Sequence, residues 1–251
     1  MYVLKKSLGQ HFLRDENICK KIVAAIMQDE PKQLLEVGPG GGAITRFLFQ
    51  QPSIAFKAIE LDDEKVDYLE KTYPELKGRI IQQNFLDAEP PFEGAFAVAG
   101  NFPYNISTQI VFKILDWRTQ VPVATGMFQK EVAQRIAAPP GNKTYGVMSV
   151  LTQAYYDVKY LFDVHEQCFD PPPKVKSGVI KLYRKNTTPS MRSDADFFKL
   201  VKMAFNQRRK TLRNAVKPLF EETVLQEAVF GNRAEQLSVA DFAQLTFKMK
   251  S

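Results

Sequence analysis

"KQLLEVGPGGGAITRFLF", Lys32 to Phe49, decides the fold. Leu34 to Val37 is a short apolar run with the look of a buried strand. The run breaks into a glycine-rich turn and then resumes at helical spacing. Gly38, Gly40 and Gly42 form a G-x-G-x-G spacing between the two. Glycine lets the backbone come close to a ligand, and a helix start presents unpaired N–H groups. The spacing differs from the G-x-G-x-x-G of dinucleotide enzymes. Glu60 ends the next strand pattern, eighteen residues past Gly42. A carboxylate there accepts hydrogen bonds from both ribose hydroxyls. Glycines alone read equally well as a tight turn without a ligand. Glycines and acid together suit a nucleoside with a short tail, such as S-adenosylmethionine, better than NAD.

The same alternation extends in both directions. "DENICKKIVAAIM" puts Ile18, Ile22, Val23 and Ile26 at helical spacing behind Asp15 as cap. "IAFKAIELDDEKVDYLEKTY", "GAFAVAGNFPYNISTQIVFKIL" and "VATGMFQKEVAQRI" each read as strand, turn, helix, and "RIIQQNFLD" as strand and turn. "GVMSVLTQAYYDVKYLFDV" and "KSGVIKLYR" read as later strands, including an antiparallel pair. The expectation is a doubly wound α/β sheet of Rossmann-like type. After "YRKNTTPS" the pattern turns helical, which predicts an α/β domain over 1–186, the part that would bind S-adenosylmethionine, and a small all-helical domain over 187–251.

Two further turns carry candidate chemistry. Asn84 and Phe85 follow the third strand, where an adenine ring would lie. The Asn amide both accepts from the adenine amino group and donates to a ring nitrogen, and Phe85 would flank the ring. "NFPY", Asn101 to Tyr104, ends the strand that borders the glycine turn. The exocyclic amine of a base is a poor nucleophile because its lone pair is delocalised into the ring. The Asn101 side-chain oxygen and the Phe102 carbonyl would hold the amine's two protons and favour a pyramidal nitrogen. Pro103 stiffens the corner, and Tyr104 offers a flat face for stacking.

Composition narrows the class. At 251 residues with 45% hydrophobic and 25% charged residues, the chain suits ordinary globular domains. Two cysteines without CxxC spacing and two histidines argue against a disulfide framework or a metal site. "MYVLKKSLGQHF" lacks the apolar stretch of a signal peptide, and no segment approaches the ~20 apolar residues of a membrane span. A cytoplasmic monomer without metal or membrane attachment is expected. The net charge of +6 is concentrated. Lys199, Lys202, Arg208, Arg209, Lys210, Arg213 and Lys217 fall between Phe197 and Phe220 with no acid among them. On one continuous helix, Phe197, Val201, Ala204, Phe205, Leu212, Val216 and Leu219 would share a buried side. Lys202, Arg209, Lys210, Arg213 and Lys217 would gather opposite, while Arg208 would fall on the apolar side and turn toward the first domain. Such a stripe reads as a solvated face or as the footprint of a polyanion.

These motifs, in this order, resemble the KsgA-type ribosomal RNA adenine dimethyltransferases along nearly the whole chain. "KKSLGQHFLRD" is similar to the family's segment that closes over S-adenosylmethionine, with Gln10, His11 and Leu13. "EVGPGGGAIT" matches the cofactor loop, and "IELD", with Glu60 and Leu61, matches the ribose acid. "NFPY" matches the catalytic corner, and "AFNQRRKTLRN" the C-terminal signature. "CFDPPPKVKSGVI" matches a second target segment, in which Phe169 would stack on the base opposite Tyr104. Asn84 stands where the family usually has Asp, and Phe102 where it usually has Leu or Ile. The resemblance implies dimethylation of two adjacent adenosines in the 3′-terminal hairpin loop of 16S ribosomal RNA, on a small-subunit precursor. It also implies docking of Arg208, Arg209, Lys210, Arg213 and Lys217 on phosphates. An Erm-type methylase of 23S ribosomal RNA shares the cofactor loop and corner, and a non-catalytic nucleic-acid-binding factor shares the fold. "FDPPPKV" and "KTYGVMSV" favour the small-subunit class, and intact Glu60, Asn101 and Tyr104 favour an enzyme.

Overall fold

The computed structural model describes residues 12–250. Gln10 and His11 lie outside the described residues. The elements run β1 (Phe12–Leu13), α1 (Glu16–Met27), β2 (Gln33–Val37), α2 (Thr45–Leu48), β3 (Ala55–Glu60), α3 (Asp63–Thr72) and β4 (Ile80–Gln82). They continue through β5 (Ala97–Asn101), α4 (Ser107–Asp116), β6 (Val123–Gln129), α5 (Lys130–Ala137), α6 (Val147–Tyr155), β7 (Tyr156–Val164), β8 (Phe169–Asp170) and β9 (Ser177–Arg184). The last helices are α7 (Asp194–Asn206), α8 (Leu212–Ala215) and α9 (Val239–Thr246).

Seven strands form one sheet in the order β4-β3-β2-β5-β6-β9-β7. The pairs from β4 to β6 are parallel, and β6 pairs β9 antiparallel from Val123↔Tyr183 to Gln129↔Ser177. This is the expected Rossmann-like sheet. Its order reverses between β2 and β5, so the loops leaving those two strands lie side by side at their carboxyl ends. Open α/β sheets bind ligands at such a switch point. Asp15 caps α1 as the sequence predicts, accepting from the N–H groups of Asn17 at 2.9 Å and Ile18 at 3.1 Å. The helix buries Cys19, Ile22, Val23 and Ile26. Burying each aliphatic side chain of this kind contributes ~1.5–3 kcal/mol.

The strands β5 and β6 carry a close approach that explains one departure from the family pattern. Phe102 is 1% exposed and meets Phe128 edge-on, with ring centroids 5.1 Å apart. It lies over Gly100 and Gly126, which face each other across the ladder. A Cβ on Gly100 would sit 2.8 Å from the Phe102 ring, and one on Gly126 would overlap that ring. The larger side chain therefore fills room that two glycines leave open.

Two compact units emerge. One runs to Ala133 and resumes over Lys159–Arg184; the other combines Gln134–Val158 with the chain from Lys185 onward. The expected division at 186/187 is corrected on one point: residues 134–158 belong with the C-terminal helices. The stretch from Gly146 was expected to be strand, but Val147–Tyr155 is helix α6. Seven of its nine residues are buried, including Met148, Val150, Leu151 and Ala154, so burial on nearly every side gave a run without helical periodicity. It packs on α7 and α9. Within this unit Phe205 meets Tyr145 and Phe242 at 6.1 and 5.9 Å, and Phe220 meets Phe230 at 4.9 Å.

The single tail helix of the sequence reading is also corrected. α7 ends at Asn206 and α8 begins at Leu212. The predicted apolar residues, from Phe197 to Leu219, are nevertheless all buried.

Gly126→Ala should destabilise the protein by about 1–3 kcal/mol, the usual range for overpacking. Adding Phe102→Leu should recover part of that loss in denaturant melts, because the smaller side chain vacates the overlap. A loss that Phe102→Leu leaves untouched would dissociate the two positions.

Candidate active site

The site is built where β2 and β5 end. Gly38, Gly40 and Gly42 all adopt positive φ, at 67°, 57° and 82°. A side chain at Gly42 would be strained and would also bring a Cβ within 2.9 Å of Leu69. The turn approaches the corner directly: a Cβ at Gly38 would lie 3.5 Å from the Pro103 ring. A single pocket is lined by Glu36, Gly38, Gly40, Asn101, Phe102, Pro103 and Tyr104, together with Phe12 and Leu13. The glycine turn, the Asn-Phe-Pro-Tyr corner and Leu13 thus line one cavity.

Glu60 is 6% exposed and held by the backbone. Its Oε2 accepts from Gly40 N–H at 3.1 Å, and its Oε1 accepts from Leu61 and Asp62 N–H at 3.0 and 3.1 Å. Lys65 Nζ stands 3.8 Å from Oε1, itself nearly buried. These contacts aim the carboxylate at the glycine turn. Leu61 beside it is 66% exposed, a large apolar side chain open at the surface.

Other predicted residues sit differently. Asn84 uses its amide locally: Nδ2 donates to Asp87 at 2.7 Å, and Oδ1 accepts from Leu86 N–H at 3.1 Å. Phe85 is 4% exposed and meets Trp117 edge-on at 5.1 Å, so its ring is a core ring. Phe169 is likewise 4% exposed and pairs with Leu13 in the β1–β8 ladder. Neither Asn84, Phe85 nor Phe169 lines the pocket that holds Asn101 and Tyr104. Arg208 turns, as expected, onto the chain before residue 186, at a stretch that belongs to its own compact unit. Its Nη2 donates to the carbonyls of Lys143 and Tyr145, at 2.7 and 2.8 Å. Arg213 Nε donates to Leu225 O at 2.7 Å. Arg209, Lys210 and Lys217 are exposed.

The sequence reading passed over three residues that the fold brings in. Phe12 lies on the turn, where a Cβ at Gly41 would be 3.0 Å from its ring. Lys65 reaches Glu60 from α3. Glu36 is 1% exposed; Thr45 Oγ1 donates to its Oε1 at 3.1 Å, while its Oε2 has no hydrogen-bond partner among the described residues. Only the position of Glu36, one residue inside the strand end, hinted at this. Burial pushes its carboxyl up from the ordinary 4.5 to about 8, against the Thr45 bond and with a small push from Glu60.

These features fit S-adenosylmethionine. The positive-φ turn clears a floor, Glu60 presents a fixed carboxylate, Leu61 offers an apolar face, and the partnerless oxygen of Glu36 suits a cationic group. In the free protein Glu36 also sets a pH dependence. The folded state holds its proton more tightly than the unfolded chain. Its contribution to stability is therefore complete below pH 4.5 and is lost as pH rises toward about 8. Glu36→Gln should flatten that decline in melts of the cofactor-free protein; an unchanged slope would mean that Glu36 ionises freely in the fold.

The chain matches the family model described as ribosomal RNA adenine dimethylase over residues 1–250. It is 51% identical over 246 residues to "Ribosomal RNA small subunit methyltransferase A" of Cytophaga hutchinsonii, covering 96% of this chain and 95% of that one. The protein of the same name from Flavobacterium johnsoniae is 49% identical over 251 residues, covering 98% and 96%. Among solved structures, a dimethyladenosine transferase from Plasmodium falciparum superposes with a TM-score of 0.75 at 24% identity, covering 94% of this chain and 96% of that one. The 23S rRNA methyltransferase ErmE gives 0.68 at 23% identity, covering 94% and 99%. At such identity these two structures speak for the fold. The family match and the relatives at about half identity go further: the chain belongs to the ribosomal RNA adenine dimethylase family, and it is an S-adenosylmethionine-dependent methyltransferase.

Proposed function

We propose that this enzyme dimethylates the exocyclic amines of two adjacent adenosines in the 3′-terminal hairpin loop of 16S ribosomal RNA, acting in the cytoplasm as a monomer on a small-subunit precursor. The observation that carries the chemistry is the approach of Gly38 to Pro103, which sets a nucleoside-binding turn beside an amine-holding corner. The choice of subunit rests on the full-length relatives, whose name specifies the small one.

S-adenosylmethionine, when bound, supplies a methyl group on a positively charged sulfur. The chain's own residues do the rest. Gly38, Gly40 and Gly42 admit the donor's tail, Glu60 takes the ribose hydroxyls, and Leu61 lies against the adenine. Asn84 keeps a second lone pair on Oδ1 for the adenine amino group. Phe85 backs that wall from the core. Leu13, with Gln10 and His11 before it, closes over the donor. At the corner, Asn101 Oδ1 and the Phe102 carbonyl accept the target amine's two N–H bonds. That draws the lone pair out of conjugation and aims it at the methyl group. No strong base is needed, since orientation supplies much of the barrier reduction. Tyr104 stacks on the extruded base, and Phe169, fixed by Leu13, bounds the segment on the opposite side. The C-terminal helices form the RNA-binding part, with Arg209, Lys210 and Lys217 on phosphates and Arg208 and Arg213 bracing that surface through backbone carbonyls.

The deciding experiment supplies labelled S-adenosylmethionine with unmethylated small subunits and, separately, unmethylated large-subunit RNA. Dimethyladenosine at adjacent positions of the small-subunit hairpin is expected, and Asn101→Ala should lower the rate by at least about 100-fold without weakening particle binding. Label confined to large-subunit RNA would overturn the substrate, and a near-normal rate in Asn101→Ala would overturn the corner chemistry. Replacing Arg209, Lys210 and Lys217 together by Ala should reduce the salt slope of particle binding by about 2–3. An unaltered slope would remove this face from the interface.

A further inference from the structure

The corner's aromatic residue is tied down from across the sheet. Tyr104 Oη lies 2.5 Å from Ser177 Oγ, although the two residues are 73 positions apart. Ser177 is fully buried and opens β9, where it pairs with Gln129 at the end of β6. β6 in turn pairs with β5, Met127 facing Asn101. The same strand stack therefore holds the corner twice: through the backbone at Asn101 and through a side-chain hydrogen bond at Tyr104. The backbone of Tyr104 is anchored too, its carbonyl accepting from Ser107 Oγ at 3.2 Å.

Geometry gives that bond its use. A tyrosine ring turns about two side-chain torsions. Pinning its far end, with the backbone already anchored, fixes the long axis of the ring. A stacking platform needs that axis held, because a base slides off a tilted face. Tyr104 is half-buried, with its hydroxyl held by the buried Ser177. Burial raises the pKa of its phenol, against the Ser177 bond, so the hydroxyl stays protonated and able to donate.

We infer that Ser177 is a positioning residue for methyl transfer, holding the Tyr104 ring in the orientation on which the target adenine stacks. This rests on Tyr104 being the stacking face. The bond acts on the arrangement of the bound base, so it bears on turnover more than on affinity. Particle affinity comes mainly from phosphate contacts elsewhere.

The test uses the full-length enzyme on unmethylated small subunits, with Ser177→Ala, Tyr104→Phe, the double variant and Tyr104→Ala. Ser177→Ala and Tyr104→Phe should each lower kcat about tenfold, the effect of one lost hydrogen bond, with KM for the particle within about twofold. The double variant should be no slower than either single, since both remove the same bond. With 2-aminopurine in place of the target adenosine, stacking should quench its fluorescence less in Ser177→Ala than in the parent. Normal kcat in Ser177→Ala, with Tyr104→Ala inactive, would overturn the inference and leave the stacking reading standing. Full activity in Tyr104→Ala would overturn both. Losses that multiply in the double variant would overturn the shared bond. Should Ser177→Ala melt too low for assay, Tyr104→Phe carries the test, and a normal kcat there overturns the inference.

Discussion

The site depends on the hydrogen-bonded pairing of β2 with β5. The pairing puts two unrelated loops at one edge of the sheet. One loop is the positive-φ glycine turn; the other is the Asn101 corner. Neither does much alone. In the proposed function the glycine turn alone would hold a nucleoside without a reaction partner, and the corner alone would hold an amine without a methyl donor. Their separation is set by backbone spacing in the sheet, a few ångströms that side-chain motion cannot stretch. The pyrrolidine of Pro103 then fills the space over Gly38, which makes the contact between the loops rigid.

That rigidity extends backward into the core. Phe102 lies over Gly100 and Gly126, so the residue whose carbonyl would face the target amine is anchored by a ring under two strands. Burying such a ring stabilises the corner, and the absence of side chains on the glycines makes it possible. The charged groups around the turn follow the same economy. Glu60 is satisfied by three backbone N–H groups and a nearby lysine, whereas Glu36 has one oxygen without a partner among the described residues. Burial makes such a carboxyl hold its proton against the Thr45 bond, and a polar atom is left on the wall of the cavity.

In the second unit the basic cluster divides by task. Arg208 and Arg213 each donate to backbone carbonyls, a use of the guanidinium that spacing along the chain does not distinguish from phosphate binding. Arg209, Lys210 and Lys217 keep their charge in solvent. Charge counting sees seven equal cations between Phe197 and Phe220; hydrogen bonding separates Arg208 and Arg213, which also hold backbone carbonyls, from Arg209, Lys210 and Lys217.

The sequence by itself determined the local chemistry: the strand-turn-helix at Gly38 to Gly42, the acid at Glu60, the corner at Asn101 to Tyr104, the cap at Asp15 and the buried face of the tail. Each is written in neighbouring residues, in periodicity, turn chemistry or side-chain type. Only the tertiary structure decided the rest. Helix α6 was hidden because a helix buried on nearly all sides loses its amphipathic period. The break after Asn206 was hidden because the apolar residues beyond it remain buried in either geometry. Phe85 and Phe169 read as open faces and turned out to be core, since composition does not say which neighbour covers a ring. The bond from Tyr104 to Ser177 and the seat of Phe102 on Gly126 join residues far apart in the chain. Pairings of that kind depend on strand order and register, which no local pattern encodes.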